Sequence, residues 1–244
     1  MKNIIVIFFF MLISFQISAQ EFKDSYSTFD LALAGSSNAF SPAVSYTQMF
    51  GVGKSKRFKI GYGIRLTSFF MSNVSARTAP AKFTSGTSSF AALFAEDIIT
   101  NIDTLQLSSA QNNSLNVSIN LQYALAKKLE FGINIDATGY SFGASQTGTL
   151  ISNKNKRKFT DGTNVSVANP NGLNLLLVSD SDLGSLNSEI YARYWATEKI
   201  GIRAGLSFLF TEYASDKKVQ LTDGLNNRWR YKSLLPLVAV SYRF

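Results

Sequence analysis

The stretch Leu115-Asn116-Val117-Ser118-Ile119-Asn120-Leu121-Gln122-Tyr123 alternates apolar and polar residues without a break. Successive side chains of an extended chain point to opposite faces, so Leu115, Val117, Ile119, Leu121 and Tyr123 share one face and the four amide and hydroxyl residues share the other. The segment reads as a β-strand between two unlike environments. The same pattern flanks it on both sides. Phe58, Ile60, Tyr62, Ile64 and Leu66 oppose Lys59, Gly61, Gly63, Arg65 and Thr67. Leu129, Phe131, Ile133 and Ile135 oppose Glu130, Gly132, Asn134 and Asp136, and Ile200, Ile202, Ala204, Leu206 and Phe208 oppose Gly201, Arg203, Gly205 and Ser207. Weaker alternation marks Phe29 to Leu33 around Asp30, Val44 to Phe50, Ser188 to Tyr194 around Glu189 and Arg193, and Val238 to Phe244 around Arg243. That makes eight expected strands, or ten if Ile102 to Leu107 pairs with a further segment.

The connections sort by length. Gly51–Arg57, Ala126–Lys128 and Thr197–Lys199 are short, whereas Ser72–Ser114 and Ser141–Gly184 each span about 40 residues, with Ala214–Arg228 between the last two strands. Short turns on one rim and long loops on the other are the pattern of a bacterial outer-membrane barrel, with the short turns periplasmic. A secreted soluble sandwich would also alternate, but would turn its apolar faces inward and leave its charges outside.

The chain begins Met1-Lys2-Asn3, continues with an apolar run from Ile4 to Ile13, and reaches Ser18-Ala19-Gln20. A positive start, a short apolar centre and a small-residue exit form a secretory signal peptide, expected as residues 1–19, with 20–244 as one barrel domain. Removing residues 1–19 takes away only Lys2 among the charges, lowering the formal charge from +8 to +7. No later stretch reaches the 18 or so apolar residues of a spanning helix. With no cysteine, disulfides, thiolate metal sites, cysteine nucleophiles and lipid attachment to an N-terminal cysteine are excluded. Charged residues are 16% of the chain, which is too few for a disordered tail or a typical charge-coated soluble domain.

The final strand, Val238, Val240, Tyr242 and Phe244, closes on a phenylalanine. It resembles the terminal strand by which outer-membrane barrels are recognised by their assembly machinery, and the whole is similar to the small eight-stranded OmpA/OmpX-type barrel class. That resemblance implies an antiparallel up-and-down transmembrane barrel, the barrel-assembly machinery as a transient partner, and no separate peptidoglycan-binding domain after Phe244. Pro236 departs from the pattern, because proline withholds a ladder donor and belongs near a strand start.

If apolar residues face lipid, the opposite parity faces the lumen. It collects Asp30, Lys59, Arg65, Glu130, Asp136, Glu189, Arg193, Arg203 and Arg243, in which four acids meet five bases. Charges in a narrow low-dielectric tube persist only when paired, so this set reads as a structural ion network that plugs the bore. Arg193, Arg203, Arg243 and Lys59 are expected to interleave with Glu130 and Asp30 toward the periplasmic half. A wide aqueous pore needs about 16 strands.

An enzyme is disfavoured because the chain has no histidine or cysteine to activate a serine or water. Asp180 with Asp182, and Asp97 with Asp103, are loop carboxylate pairs; Asp180, Asp182 and Gly184 resemble only a fragment of a calcium loop, and no metal or cofactor is expected. Lys154, Lys156, Arg157 and Lys158 form a basic run suited to the phosphates of lipopolysaccharide. Ser88–Ala95, with Phe90 and Phe94, reads as a short helix over the mouth or an apolar patch for an envelope partner. Aromatics near the strand ends read as interfacial girdles: Phe69, Phe70, Tyr140, Phe208, Tyr213 and Trp229 above, and Phe50, Phe58, Tyr123, Tyr194, Trp195 and Tyr242 below. The basic residues form no continuous strip, so nucleic acid is not a partner. The expected function is a non-enzymatic outer-membrane scaffold displaying long loops for binding or assembly. The alternatives are a narrow solute channel, then a lipid-modifying or proteolytic enzyme.

Overall fold

A computed structural model describes residues 22–86, 95–177 and 181–244. The expected signal peptide, Asp180 and residues 88–94 of the expected mouth helix lie outside the described residues.

Among the described residues, eleven strands run β1 (Ser25–Gly35), β2 (Ala39–Val52), β3 (Phe58–Ala79), β4 (Thr104–Ala126), β5 (Leu129–Gly143), β6 (Gln146–Ile151), β7 (Val165–Pro170), β8 (Leu173–Leu175), β9 (Leu186–Trp195), β10 (Ile200–Leu221) and β11 (Gly224–Arg243), with one α-helical turn α1 (Ala81–Thr84) and a 3-10 turn at Ile99–Asn101. Eight of them, β1-β2-β3-β4-β5-β9-β10-β11, pair antiparallel with their neighbours. The ring closes where β11 returns to β1, with Phe29 facing Tyr242 and Leu33 facing Val238. Closure removes both sheet edges, which is what lets strands cross hydrocarbon with every ladder bond made.

The faces sort as the alternation predicts. Ile119, Ile133 and Ile202 are 47%, 41% and 56% exposed on the outside, whereas Arg65 and Glu130 are 2% and 3% exposed within. The outer wall carries Leu31, Tyr62, Ile64, Leu115, Phe131, Ile190, Val240 and others as one exposed apolar belt. It far exceeds the few hundred Å² that a soluble monomer leaves uncovered, and it encircles the ring. The fold is an antiparallel up-and-down transmembrane β-barrel of eight strands.

Above this barrel stands a second, narrower one. The β1–β2 hairpin turns at Ser36–Asn38, and above it β3 pairs directly with β11, Thr78 facing Trp229. On the far side β5 and β9 give way to β6 and β7, through Leu105 facing Leu150, Gly148 facing Ser166 and Ala168 facing Ser215. The ring β3-β4-β6-β7-β10-β11 is therefore closed with six strands. In β3, Met71 and Val74 both point inward with Ser72 and Asn73 between them outside, and Asn73 takes the left-handed conformation at φ 55°. Asparagine tolerates that conformation better than most residues. Opposite, Leu107 and Ala110 both point inward around Ser108 and Ser109, and the pairing stays in register. Two neighbouring strands thus change phase at one level, so the interior turns from charged to apolar.

The narrow barrel has a dry core of Val74, Ala76, Leu105, Leu107, Val219 and Trp229, closed from above by Phe83 of α1 and Phe159. This corrects the expected loops. Ser72–Ala79 and Thr104–Ser114 are strand, leaving 80–103 as the connection; the second long loop contains β6, β7 and β8; and the third is a hairpin turning between Leu221 and Gly224. Ile102–Leu107 does not add a strand to the ring: its Thr104–Leu107 portion is the top of β4, paired with β6. Four girdle assignments are corrected too. Phe69, Tyr213, Trp229 and Trp195 are all within 1% of complete burial in the interior, because they sit on the inward parity of their strands or, for Tyr213 and Trp229, within the narrow tier where apolar residues face in.

Trp229→Ala should create a cavity in that core and destabilise the narrow tier by about 3–5 kcal/mol. Denaturant unfolding in detergent micelles, followed by the near-ultraviolet signal of the remaining tryptophan, Trp195, against proteolysis of 80–103, should show the upper tier loosening before the lower barrel unfolds.

Candidate functional site: the ion chain of the wide bore

The wide barrel draws its interior charges from five strands: Asp30 on β1, Lys59 and Arg65 on β3, Glu130 and Asp136 on β5, Glu189 and Arg193 on β9, and Arg203 on β10. Their positions follow from parity alone, since each lies between two outward-facing neighbours, apolar in every case but Ser188 before Glu189. All eight are buried, four carboxylates against four cations. Arg65 pairs with Asp136 through Nη2 at 2.5 Å and with Glu189 through Nη1 at 3.0 Å. Arg203 links Glu189 at 3.2 Å to Asp30 at 4.0 Å, and Arg193 links Asp30 at 3.1 Å to Glu130 at 3.9 Å. The result is one chain of alternating sign, Asp136–Arg65–Glu189–Arg203–Asp30–Arg193–Glu130; the links made by Arg65 and by Asp30 cross the bore between strands that are not neighbours, whereas Glu189–Arg203 and Arg193–Glu130 join adjacent strands.

Neutral groups occupy the remaining lone pairs. Asn116 donates to Asp136 at 2.8 Å, as does the Asn187 backbone N–H at 3.0 Å. Asn134 donates to Glu189, Ser241 to Asp30, and Gln122 and the Trp195 indole to Glu130. An unpaired ion here would carry its desolvation cost without compensation; the alternation and the amide donors supply it.

Aromatic rings floor the chain, and glycines make room for them. Gly132 faces Tyr191 and Gly201 faces Trp195 across their strand pairs. A Cβ on Gly132 would collide with the Tyr191 ring, so only glycine lets that ring lie flat. The Arg203 guanidinium then stacks over Tyr191 at 4.6 Å, and Arg243 over Trp195 at 4.1 Å. Lys59 sits over Tyr26 at 5.5 Å, and the Phe22 ring covers Lys59 and Arg57 at the short-turn mouth. Arg243 is only partly buried and donates to the Glu198 carbonyl at 2.9 Å, so it belongs to the rim.

A second ion cluster lies on the outer face of the narrow tier. Buried Glu212 on β10 accepts from Arg228 at 2.7 Å and Arg230 at 2.9 Å on β11, and both arginines also donate to the Asp182 carbonyl. Sequence reasoning misses it because Ala214–Arg228 reads as loop, although Glu212 faces Arg230, with Arg228 two residues along the same strand, once the hairpin is drawn. Asp97 pairs with Arg77 and Asp103 with Arg157, while the Asp182 carboxylate accepts from the Leu177 N–H at 2.6 Å. No three metal-ligating side chains gather among the described residues. Lys154, Lys156 and Lys158 are exposed at the tip, on a loop that Asn155 and Arg157 pin to the Thr100 carbonyl at 2.6 and 2.9 Å. Val238, Val240, Tyr242 and Phe244 line the outer face of β11, where Phe244 stacks on Tyr46.

No protein-family model matches the chain, and no curated protein matches it. Among solved structures it is similar to neisserial surface protein A, at 12% identity over 91% of this chain and 98% of that one, with a TM-score of 0.41. It is similar to the Yersinia pestis outer membrane protein Ail, at 11% identity over 90% and 99% of the two chains, with a TM-score of 0.35. A major outer membrane protein from Thermus thermophilus matches at 11% identity over 91% and 100%, with a TM-score of 0.41. At such scores the barrel assignment stands on the strand pairing and side-chain placement above.

Arg203→Met leaves Glu189 and Asp30 each short of a cation in the bore, and should cost about 3–5 kcal/mol in denaturant unfolding. Pairing it with Glu189→Gln, which removes the orphaned charge, should recover part of that loss; no recovery would show the chain is not coupled. Outside the membrane, Asp161 accepts from Lys217 at 2.6 Å and from the Thr163 hydroxyl and N–H, and these hydrogen bonds, the one from Lys217 first, hold its carboxyl down from 3.8 to about 2. A depressed carboxylate contributes stability above its unfolded pKa and loses it as pH falls through the folded value. The Asp161 carboxyl carbon resonance should therefore titrate near pH 2 and not near 4, and move back toward 4 in Lys217→Gln.

Proposed function

We propose that this chain is a sealed, non-enzymatic barrel of the bacterial outer membrane, whose narrow tier is a rigid pedestal projecting from the membrane for binding or assembly. The observation that carries the reading is the dry cluster of Val74, Leu105, Leu107, Val219 and Trp229, which fills the narrow bore directly above the neutralised ion chain. Ions would have to break paired charges in one tier and cross hydrocarbon packing in the other. At the short-turn rim the Phe22 ring lies against the cations Lys59 and Arg57. Absence of histidine and cysteine favours binding over catalysis.

The apolar belt and the short-turn rim support an outer-membrane location with the narrow tier outside. Export by a signal peptide cleaved after Ala19, and delivery by the barrel-assembly machinery through Val238, Val240, Tyr242 and Phe244, complete this reading. Lys154, Lys156 and Lys158 stand at the far end of the narrow tier, so the anionic groups within their reach are phosphates of the outer saccharide part of lipopolysaccharide or acidic groups of an envelope protein. Pinning by Asn155 and Arg157 holds them together, which lowers the entropy lost when they meet an anion.

In planar bilayers the purified protein should give no stable unitary currents, and a proteoliposome flux assay with small sugars should match empty vesicles. Discrete, reproducible conductance steps that disappear when the interior cation Arg65 is changed to Met would establish the channel instead.

A further inference from the structure

The short-turn rim carries charges that the bore does not use. Four sites alternate with the strands around it: the segment entering β1 beside the end of β11, and the β2–β3, β4–β5 and β9–β10 turns. Residues 22–24, 53–57, 126–128, 196–199 and 243–244 hold eight lysines and arginines against two side-chain carboxylates, Asp24 and Glu198. Three of those cations are engaged. Lys56 pairs with Asp24 at 3.2 Å, Arg57 lies over the Phe22 ring at 5.3 Å, and Arg243 lies over Trp195 at 4.1 Å. The other five, Lys23, Lys54, Lys127, Lys128 and Lys199, are exposed, and none pairs with a carboxylate among the described residues. Glu198, beside Lys199, is the one carboxylate left to oppose them among the described residues of this rim.

Backbone hydrogen bonds hold these sites in a closed ring. The Asp24 carbonyl accepts from Gly51 at 2.5 Å, Arg57 from Ala124 at 2.8 Å, Lys128 from Trp195 at 2.8 Å and Lys199 from Arg243 at 2.7 Å. Each basic segment is thus tied to the strand beyond it, which fixes where its lysines stand. Eight strand spacings of about 4.8 Å, lengthened by tilt, give a circumference of roughly 50 Å and a separation of roughly 12 Å between the four sites. That exceeds the Debye length of about 8 Å at physiological ionic strength. One small anion cannot serve two sites, so a partner that neutralises all four has to surround the barrel.

The height of the ring is set by the belt. Val52 and Phe58 flank the β2–β3 turn, Leu125 precedes Lys127 by two residues, and Tyr194 and Ile200 flank the β9–β10 turn, all exposed on the outer wall. Two residues of extended chain are about 7 Å, so the lysine stems lie along the last apolar residues and their ammonium groups reach the headgroup level. We propose that this ring selects anionic phospholipids in the leaflet that meets the short-turn rim. A headgroup with net negative charge attracts the ammonium groups, whereas a zwitterionic one already carries a cation beside its phosphate. Lipid is favoured over an acidic polymer because the free charges encircle the belt at its edge, on turns too short to project beyond the headgroups. The proposal rests on the membrane reading above and is distinct from the lysines at the tip of the narrow tier.

Wild type, Lys23→Gln/Lys54→Gln/Lys127→Gln/Lys128→Gln/Lys199→Gln, the Lys→Arg variant at the same five positions, and Lys154→Gln/Lys156→Gln/Lys158→Gln are reconstituted into phosphatidylcholine vesicles. A trace of spin-labelled phosphatidylglycerol or spin-labelled phosphatidylcholine is added, and the motionally restricted fraction is read by electron paramagnetic resonance. Wild type should restrict phosphatidylglycerol about threefold more than phosphatidylcholine, and about 1 M salt, where the Debye length is about 3 Å, should remove the difference. The rim glutamine variant should restrict both lipids equally, while the arginine and tip variants should keep the wild-type ratio. All five rim positions are exposed turn residues, so the heat-modifiable migration of a folded barrel should persist. A folded glutamine variant with the wild-type ratio, a folded arginine variant without it, or loss of the ratio in the tip variant overturns the proposal. Wild type that shows no lipid preference but sediments with isolated peptidoglycan through these lysines assigns the rim to the wall and overturns it too. A protein that fails to enter vesicles overturns the membrane reading as well, whereas insertion with equal restriction of the two lipids overturns the rim alone.

Discussion

Seven side chains, Asp136, Arg65, Glu189, Arg203, Asp30, Arg193 and Glu130, alternate in sign across the wide bore and join β1, β3, β5, β9 and β10. A strand that slipped by one residue would exchange its faces and carry its ions into lipid. For arginine or lysine at the bilayer midplane that exchange costs about 2–4 kcal/mol per side chain, before any lost pairing is counted. The ion chain therefore fixes register as well as filling space. β2 and β4 carry no charge in the chain, and their inward Ser, Thr, Asn and Gln serve as hydrogen-bonding filler between the charged strands.

Once register is fixed, the solvent decides what happens along each strand. Against hydrocarbon, apolar residues must face out and polar ones in. Where the wall leaves the membrane the preference reverses, because water outside favours polar residues and a narrow bore can be filled with aliphatic and aromatic side chains. β3 and β4 make that change together at Ser72–Asn73 and Ser108–Ser109 without losing register. Dropping from eight strands to six narrows the bore to a width that Leu105, Leu107 and Trp229 can fill. The same step brings β3 and β11 into direct pairing only from Arg77 and Arg230 upward, a geometric consequence of stacking two barrels of different strand number.

The wide tier is legible in the sequence because two opposite solvents impose strict alternation: Leu115–Tyr123 and Phe58–Thr67 give strand, face and lumen charge directly. The aromatic floor is less so. Trp195 reads as a membrane anchor, and its burial against Gly201 depends on a cross-strand pairing that one strand does not reveal. The narrow tier is hidden for a physical reason. Each phase change puts two outward residues in succession, which breaks period 2, and the polar outer face of Ser75, Arg77, Thr104 and Gln106 reads as loop. Val74, Ala76, Leu105 and Leu107 do carry a signal, a second alternation shifted by one residue, visible only to a reading that restarts its phase at Asn73.

The central claim is that one continuous strand passes from a lipid-facing to a water-facing environment and exchanges its faces on the way. Since the chain has no native cysteine, single cysteines placed along β3 from Ile60 to Arg77 can carry a nitroxide, and accessibility to oxygen and to a water-soluble nickel chelate can be compared in bilayers. Oxygen accessibility should peak at Ile60, Tyr62, Ile64, Leu66 and Phe70, with chelate accessibility taking over at Ser75 and Arg77 after a phase change at Ser72–Asn73. A single unbroken period from Ile60 to Arg77, or chelate reaching Arg65 as readily as Arg77, would contradict it.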